Sequence, residues 1–447
     1  MKWDLATVAA ATGGTAHGDA AAVARVVIDS REAGPGTLFV AVRGERLDGH
    51  EFAAEAVGRG AAVLVERGRA PVDAPVVEVD DTLTALAALG ALRRAEIMAP
   101  VVAITGSTGK TTTKDMAGAA LGPGTHTAPR SFNNEVGVPL TVLDSPDGAA
   151  ALVIEVGSRG AGHITALGAV IRPSVAVITN IGPAHLEMFG DVGAVLDAKW
   201  ELVELLGDGG VAVLPAADSR LTERRQGPMI TFGEGGAGVD VAISELALDA
   251  RGRASFRLSH LGHTRSLTLR QAGRHQPANA AAAVAAALAL GRDFAEAADR
   301  VADAALSPWR MEVVEIRVGD GAALVVNDAY NANPDSMAAA FATVAAMPGR
   351  RIAVLGKMHE LGAAEGELHR AVGRNAIEAG FELVVVVGDD PGIAAGAGTA
   401  ALTVPDVVAA AAALAEILRP GDVVLIKASR AAGLERVAAA ITGGAAA

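Results

Sequence analysis

The sequence predicts an α/β chain of three domains, and three observations predict it. At about 150 residues per domain, 447 residues make room for three. Short runs rich in valine and isoleucine alternate with alanine-rich stretches of helical length. Composition shifts and turn residues divide the chain into blocks at 1–97, 98–308 and 309–447.

In the first block, strand-like runs at 23–29, 38–42, 62–65 and 76–79 are separated by turns such as Gly34-Pro35-Gly36 and Asp48-Gly49-His50. A helix is expected over 82–95, ahead of Pro100. In the central block, 101–105, 152–156, 175–179 and 211–214 read as buried parallel strands. The alternation over 239–269 predicts an antiparallel insert, and 279–290 a buried helix. The last block has strands at 324–327, 352–355, 383–387 and 423–426 with helices between them, a second α/β unit. Residues 388–392 read as a loop, and the tail after Ile441 as loosely ordered.

Composition bounds the chemistry. Hydrophobic residues make up 51% and aromatics 3%, so alanine, valine and leucine must fill the cores. The net charge of −13 argues against non-specific nucleic-acid binding and against anionic membranes. The absence of cysteine excludes disulfides, thiolate nucleophiles and cysteine metal sites. The N-terminus has no sustained apolar stretch, and the apolar run 280–290 is too short to span a bilayer. A cytoplasmic protein with no integral membrane contact is expected.

One stretch carries most of the chemistry. Val101–Thr105 stops at Gly106-Ser107-Thr108-Gly109, followed by Lys110-Thr111-Thr112 and a helix expected over 114–121. Glycines let backbone N–H groups approach an anion, and the helix N-terminus adds its positive end. Lys110 can reach outer phosphates, and the Thr111 hydroxyl can sit on Mg²⁺. Ile104 stands where the commonest phosphate loop has its first glycine, and the bland alternative is a strand–helix turn with an exposed lysine. Glu155 ends an apolar run; alone it reads as readily as a solvated turn residue, but beside a phosphate loop a carboxylate there points into the crevice of a parallel sheet, as a hard ligand for Mg²⁺. His185 would emerge at the same sheet edge, as a structural histidine or a metal ligand. Lys199 lies on a helical pattern, where spacing alone favours a solvated charge.

These segments, with Ser131-Phe132-Asn133-Asn134-Glu135, Thr179-Asn180-Ile181-Gly182 and Ala198-Lys199-Trp200-Glu201-Leu202, resemble the Mur ligase family over almost the whole chain. These are ATP-dependent, amide-forming ligases of peptidoglycan precursor synthesis. Asn327-Asp328-Ala329-Tyr330-Asn331-Ala332-Asn333-Pro334 and Leu355-Gly356-Lys357-Met358-His359-Glu360 point to the member that adds a dipeptide. The resemblance implies a small N-terminal domain for a UDP-sugar peptide, a central P-loop ATPase domain with a mostly parallel sheet, and a C-terminal Rossmann-like domain that brings the amine. It implies UDP-N-acetylmuramoyl-tripeptide and D-alanyl-D-alanine as substrates, ATP with two Mg²⁺ ions, and a monomer.

It also implies roles. Lys110 and the backbone of Gly106, Ser107, Thr108, Gly109, Thr111 and Thr112 would hold the phosphates. Thr111 and Glu155 would bind one metal; His185 and a carbamylated Lys199 would bind the second. Asn279 would lie near the adenine, while Arg310 and Asp328 would meet ATP on closure about a hinge near Ser307-Pro308-Trp309. Ser30, Arg31, Asp48 and His50 would form the UDP-sugar pocket, unless they are ordinary turns. Asn133, Asn134, Tyr330 and Asn331 would face the substrates. Departures from the pattern are Gln276, His163, and Ala428 and Ala431, where the family usually has glycine. They leave open a ligase with another donor or a weakly catalytic binding paralogue; a P-loop kinase is a third alternative.

Overall fold

The computed structural model describes all residues except 20, 21, 45, 46, 72, 130, 184, 185, 237 and 444–447, with backbone alone at 186 and 187. The described residues form three sheets, each confined to one stretch of chain.

The first sheet runs in the order Thr15–His17, Val76–Val79, Ala62–Glu66, Thr37–Val40, Arg25–Val27. Its first pair is antiparallel and the others parallel. The helix Thr82–Glu96 packs Leu86 and Leu89 into this unit's core and starts at an Asp81 cap, whose carboxylate accepts the Thr84 N–H.

The central sheet has nine strands. Seven are parallel, in the order Val241–Leu248, Met229–Glu234, Val211–Pro215, Val175–Ile178, Val101–Thr105, Ala151–Glu155, Thr125–Thr127. Arg253–His260 and His263–Ala272 extend its edge antiparallel, so the expected insert is continuous with the main sheet. The faces of the central strands are buried on both sides, which is why they read as unbroken apolar runs. Lys110–Leu121 and the alanine-rich Gln276–Ala289 cover one face. Their small side chains explain how a chain poor in aromatics still closes its core. The phosphate-loop helix begins at Lys110, four residues before the sequence pattern suggests, because glycine and threonine weaken the periodic signal.

The third sheet orders Glu312–Val318, Gly321–Asn327, Val423–Lys427, Arg351–Leu355, Leu383–Val387, Ala401–Val404. Its first pair is an antiparallel hairpin and the rest is parallel. The expected loop at 388–392 is only partly one: Asp390 caps a helix, Pro391–Ala397, with proline in its first turn. Among the described residues no helix is long and apolar enough to cross a membrane.

Candidate functional site

The phosphate loop is built by its neighbours. Gly106 has φ +150 and Gly109 φ +77, both suited to glycine. A Cβ at Gly106 would lie 1.9 Å from Thr179 Oγ1, and one at Gly109 2.4 Å from Asn279 Oδ1. The segment after Val175–Ile178 clamps the loop. Thr179 Oγ1 donates to the Thr108 carbonyl at 2.6 Å, Asn180 Oδ1 accepts the Thr108 N–H at 3.0 Å, and Ser107 Oγ donates to the Gly182 carbonyl at 2.9 Å. Lys110 folds back to donate to the Gly106 carbonyl at 2.7 Å, and burial pushes its ammonium pKa down against the pull of Glu155.

Beside the loop lies a set of hard oxygens. Thr111 Oγ1 donates to Glu155 Oε2 at 2.7 Å and lies 2.8 Å from Ser131 Oγ. Asn133 Nδ2 donates to Glu155 Oε1 at 2.7 Å. Glu155 is 1% exposed. Lys199, on Val192–Glu204, is buried and has no hydrogen bond or ion pair among the described residues. Burial, with Lys110 nearby, lowers its pKa to about 7. It is not the solvated lysine that spacing suggests.

The last unit reaches this cluster through Arg310, whose Nη2 donates to Thr111 Oγ1 at 2.8 Å and Ser131 Oγ at 2.9 Å. Its guanidinium stacks 4.0 Å over the Tyr330 ring. Trp309 (φ +61) and Met311 (φ +53), on either side, are left-handed, a conformation costing roughly 1–3 kcal/mol each when over-determined by its surroundings. The surroundings are visible: Arg430 stacks on Trp309 at 4.2 Å, and the Met311 N–H donates to Asp328 Oδ1 at 3.1 Å. Asp328 Oδ2 also receives Lys427 Nζ at 2.5 Å. Asp328 thus joins the Met311 backbone to the Lys427 amine at the edge of the cleft.

A cleft of 730 Å³ gathers these groups. Lys110, Thr111, Thr112, Glu155 and Lys199 line it, as do Ser107, Thr108 and Gly109. So do Asn133, Asn134, Asn279, Arg310, Asp328, Tyr330 and Asn331. His185 lies outside the described residues. Gly106 is buried and is not among the residues that line the cleft.

Matches to known families cover most of the chain: residues 22–94 match the Mur ligase family, catalytic domain, 104–287 the Mur ligase middle domain, and 309–430 the Mur ligase, glutamate ligase domain. The UDP-N-acetylmuramoyl-tripeptide–D-alanyl-D-alanine ligase of Mycobacterium tuberculosis H37Rv is 38% identical, over 93% of this chain and 91% of its own. The Escherichia coli K12 protein of the same name is 33% identical over 93% of each. The chain belongs to the Mur ligase family. A crystal structure of MurF from Acinetobacter baumannii superposes with a TM-score of 0.88 at 33% identity over 99% of both chains. The Thermotoga maritima MurF structure, a complex with ADP, gives 0.82 at 30% identity over 94% of this chain and 97% of that one.

Four expected residues of this Mur ligase stand apart from the cleft. Asp29 Oδ1 accepts the Arg31 N–H, and Arg31 holds the Asp29 carboxyl at about 2. Ser30 donates to Glu55 Oε2 at 3.1 Å. His50 is buried; its Nδ1 lies 2.6 Å from Asp48, and its Nε2 accepts the Glu66 N–H at 3.0 Å. The hydrogen bond to His50 keeps Asp48 well below the usual carboxylate range. Both ring nitrogens of His50 are engaged by the fold, and all four residues belong to side-chain-capped turns.

Lys427, Ser131 and His275 also line the cleft, although the motif reading does not select them. His275 Nδ1 is buried with no partner among the described residues. Ala428 and Ala431 have no left-handed φ, so replacing glycine there strains nothing. Gln276 accepts from Asn279 Nδ2 at 3.0 Å and fixes its orientation.

Proposed function

We propose that this Mur ligase joins D-alanyl-D-alanine to UDP-N-acetylmuramoyl-tripeptide, converting ATP to ADP and phosphate. The observation that carries the reading is one cleft in which a phosphate loop, a buried carboxylate, the buried Lys199 amine and Arg310 of the last unit converge. The names of the similar ligases supply the substrates.

A free carboxylate resists attack because its charge is delocalised. In this reading the tripeptide's terminal carboxylate attacks the γ-phosphorus of ATP, the bond to ADP breaks, and an acyl phosphate forms. The donor amine then adds to the acyl carbon, forming the C–N bond; the tetrahedral adduct expels phosphate, and the nitrogen gives up a proton to the departing phosphate or to solvent. Lys110 exchanges its Gly106 contact for a phosphate oxygen, and the backbone N–H groups of the loop hold the others. Asn279, wedged against Gly109, sets the nucleotide side of the loop. Asp328 and Lys427 brace the hinge so that Arg310 seals the cleft from water.

Magnesium fits the oxygen set of Thr111 and Glu155, with His185 and a carbamylated Lys199 proposed for a second ion. When bound, the ions would offset charge on the transferring phosphoryl group and on the developing oxyanion. Lys199 gains its carboxylate when its neutral amine attacks CO₂, forming an N–C bond and releasing a proton. A pKa of about 7 keeps that amine substantially neutral under physiological conditions. Asn133, Asn134, Tyr330 and Asn331 face the acceptor and donor, and the enzyme works as a monomer in the cytoplasm, where nucleotide substrates are made.

Incubation with ATP, Mg²⁺, the tripeptide precursor and D-alanyl-D-alanine should give the pentapeptide precursor, with phosphate release that requires both the acceptor and the amine. Product formation with a different amine only would reassign the donor; a stable phosphate ester would point to a kinase.

A further inference from the structure

A buried imidazole–carboxylate pair in the last unit has no role in the chemistry just described. His369, on Glu365–Glu378, and Asp390 are 3% and 5% exposed. His369 Nδ1 lies 2.7 Å from Asp390 Oδ2. An ionised carboxylate only accepts, so Nδ1 donates to it. Nε2 faces the Met358 backbone, 3.0 Å from its N and 3.2 Å from its carbonyl oxygen. Asp390 is itself fixed, because Oδ1 accepts the Ile393 N–H at 3.0 Å at the start of Pro391–Ala397.

Met358 belongs to the segment that leaves the strand Arg351–Leu355. A second point holds the same segment: the His359 N–H donates to Ser429 Oγ and the Ser429 N–H to the Lys357 carbonyl, both at 3.0 Å. Next comes Glu360, left-handed at φ +64, which lines the cleft together with Tyr330, Asn331 and Arg430. A left-handed glutamate costs roughly 1–2 kcal/mol, and the pinned residues before it help hold the turn in that shape. The pin nearer the helix side is His369.

We propose that the His369–Asp390 pair is a positioning device for the amine-donor subsite: by holding the Met358 backbone it fixes the segment that presents Glu360 to the cleft, and so sets how tightly the donor binds. The proposal rests on the ligase reading, in which the last unit presents the amine.

Two substitutions separate the halves of the pair. Glutamine places an amide near the Nε2 position and can still meet Met358; asparagine reaches only the Nδ1 position and Asp390. In the full chain, His369→Asn should raise the KM for D-alanyl-D-alanine about tenfold or more, with KM for ATP and the tripeptide within about twofold of the parent, because misplacing a wall by an ångström acts on the ligand it touches. His369→Gln should recover most of that loss. Equal rises in all three KM values, or an unchanged donor KM in a folded His369→Asn protein, would overturn the proposal. Should that variant not fold, hydrogen exchange on the parent protein decides. With an ATP analogue and tripeptide present, adding D-alanyl-D-alanine should slow exchange across 356–361, and unchanged exchange there overturns it. Failure of the ligase reading shows separately, as a parent protein that makes no pentapeptide.

Discussion

Lys110 and Lys199 stand in the same cleft, and the proposed reaction gives them opposite tasks. In it the first keeps its charge and the second loses it. On that reading, replacing Lys110 by alanine removes the cation proposed to meet the outer phosphates, and phosphate release should fall about 10²–10³-fold or more, at any substrate concentration. A coupled phosphate assay checks this. For Lys199 the sign of the pH effect follows from its pKa of about 7. Below that value the amine is protonated and cannot attack CO₂; above it the neutral form dominates. Enzyme stripped of CO₂ should therefore regain activity on adding bicarbonate faster at pH 8 than at pH 6, with a ¹³C carbamate resonance appearing in parallel. Lys199→Ala should lose activity by about 10²-fold or more and be partly rescued by short carboxylates. The place of Lys110 in the cleft is legible in the residues themselves, since glycine, lysine and threonine in that order have few other uses. Lys199 is not: whether a helical lysine faces water depends on packing from elsewhere in the chain. His50 shows the reverse, a polar residue in a turn motif that the fold turns inward.

Elements are where the sequence pattern speaks most clearly and where its edges fail. Val76–Val79 and Leu383–Val387 are read to the residue, because a buried parallel strand leaves a bare apolar run. The edge strands Thr15–His17, Thr125–Thr127 and Ala401–Val404 escape notice, because they are short and half-solvated. A cap between elements is equally invisible. Glu201, two residues past Lys199, accepts from Gly162 N at 2.5 Å, Ile164 N at 3.1 Å and Thr165 N at 3.0 Å. It ties the start of the short helix His163–Ala166 to the helix that carries Lys199. Glu201→Ala would leave those donors unpaired, at a cost of about 2 kcal/mol or more. Urea unfolding followed by the fluorescence of the three tryptophans, of which Trp200 is buried on the same helix, should show a lower midpoint, and Glu201→Gln should lose less.

At the scale of the molecule, the cleft is made by units far apart in sequence, so no local pattern could have shown it. Its fit is close. A Cβ on Gly182 would lie 2.1 Å from Asp335 Oδ2, across the meeting of the central and last units, and burial pushes the Asp335 carboxyl pKa up. Gly182 has no left-handed φ, so the demand on this glycine is one of space. The Asp335 carboxylate ends a flexible side chain and can turn aside, so Gly182→Ala should disfavour the closed arrangement by about 1 kcal/mol, the low end for overpacking. Turnover should fall about fivefold and the radius of gyration rise slightly, while Gly182→Ala with Asp335→Ala should restore both. Asp335→Ala alone should stay close to the parent. Tyr330 adds a practical consequence, for it is the sole phenol in the chain and lies beneath the Arg310 guanidinium. Its ring resonances, or its rate of nitration, arise from one place only. They would report on engagement of that arginine in the native enzyme, with no label to attach and no background to subtract.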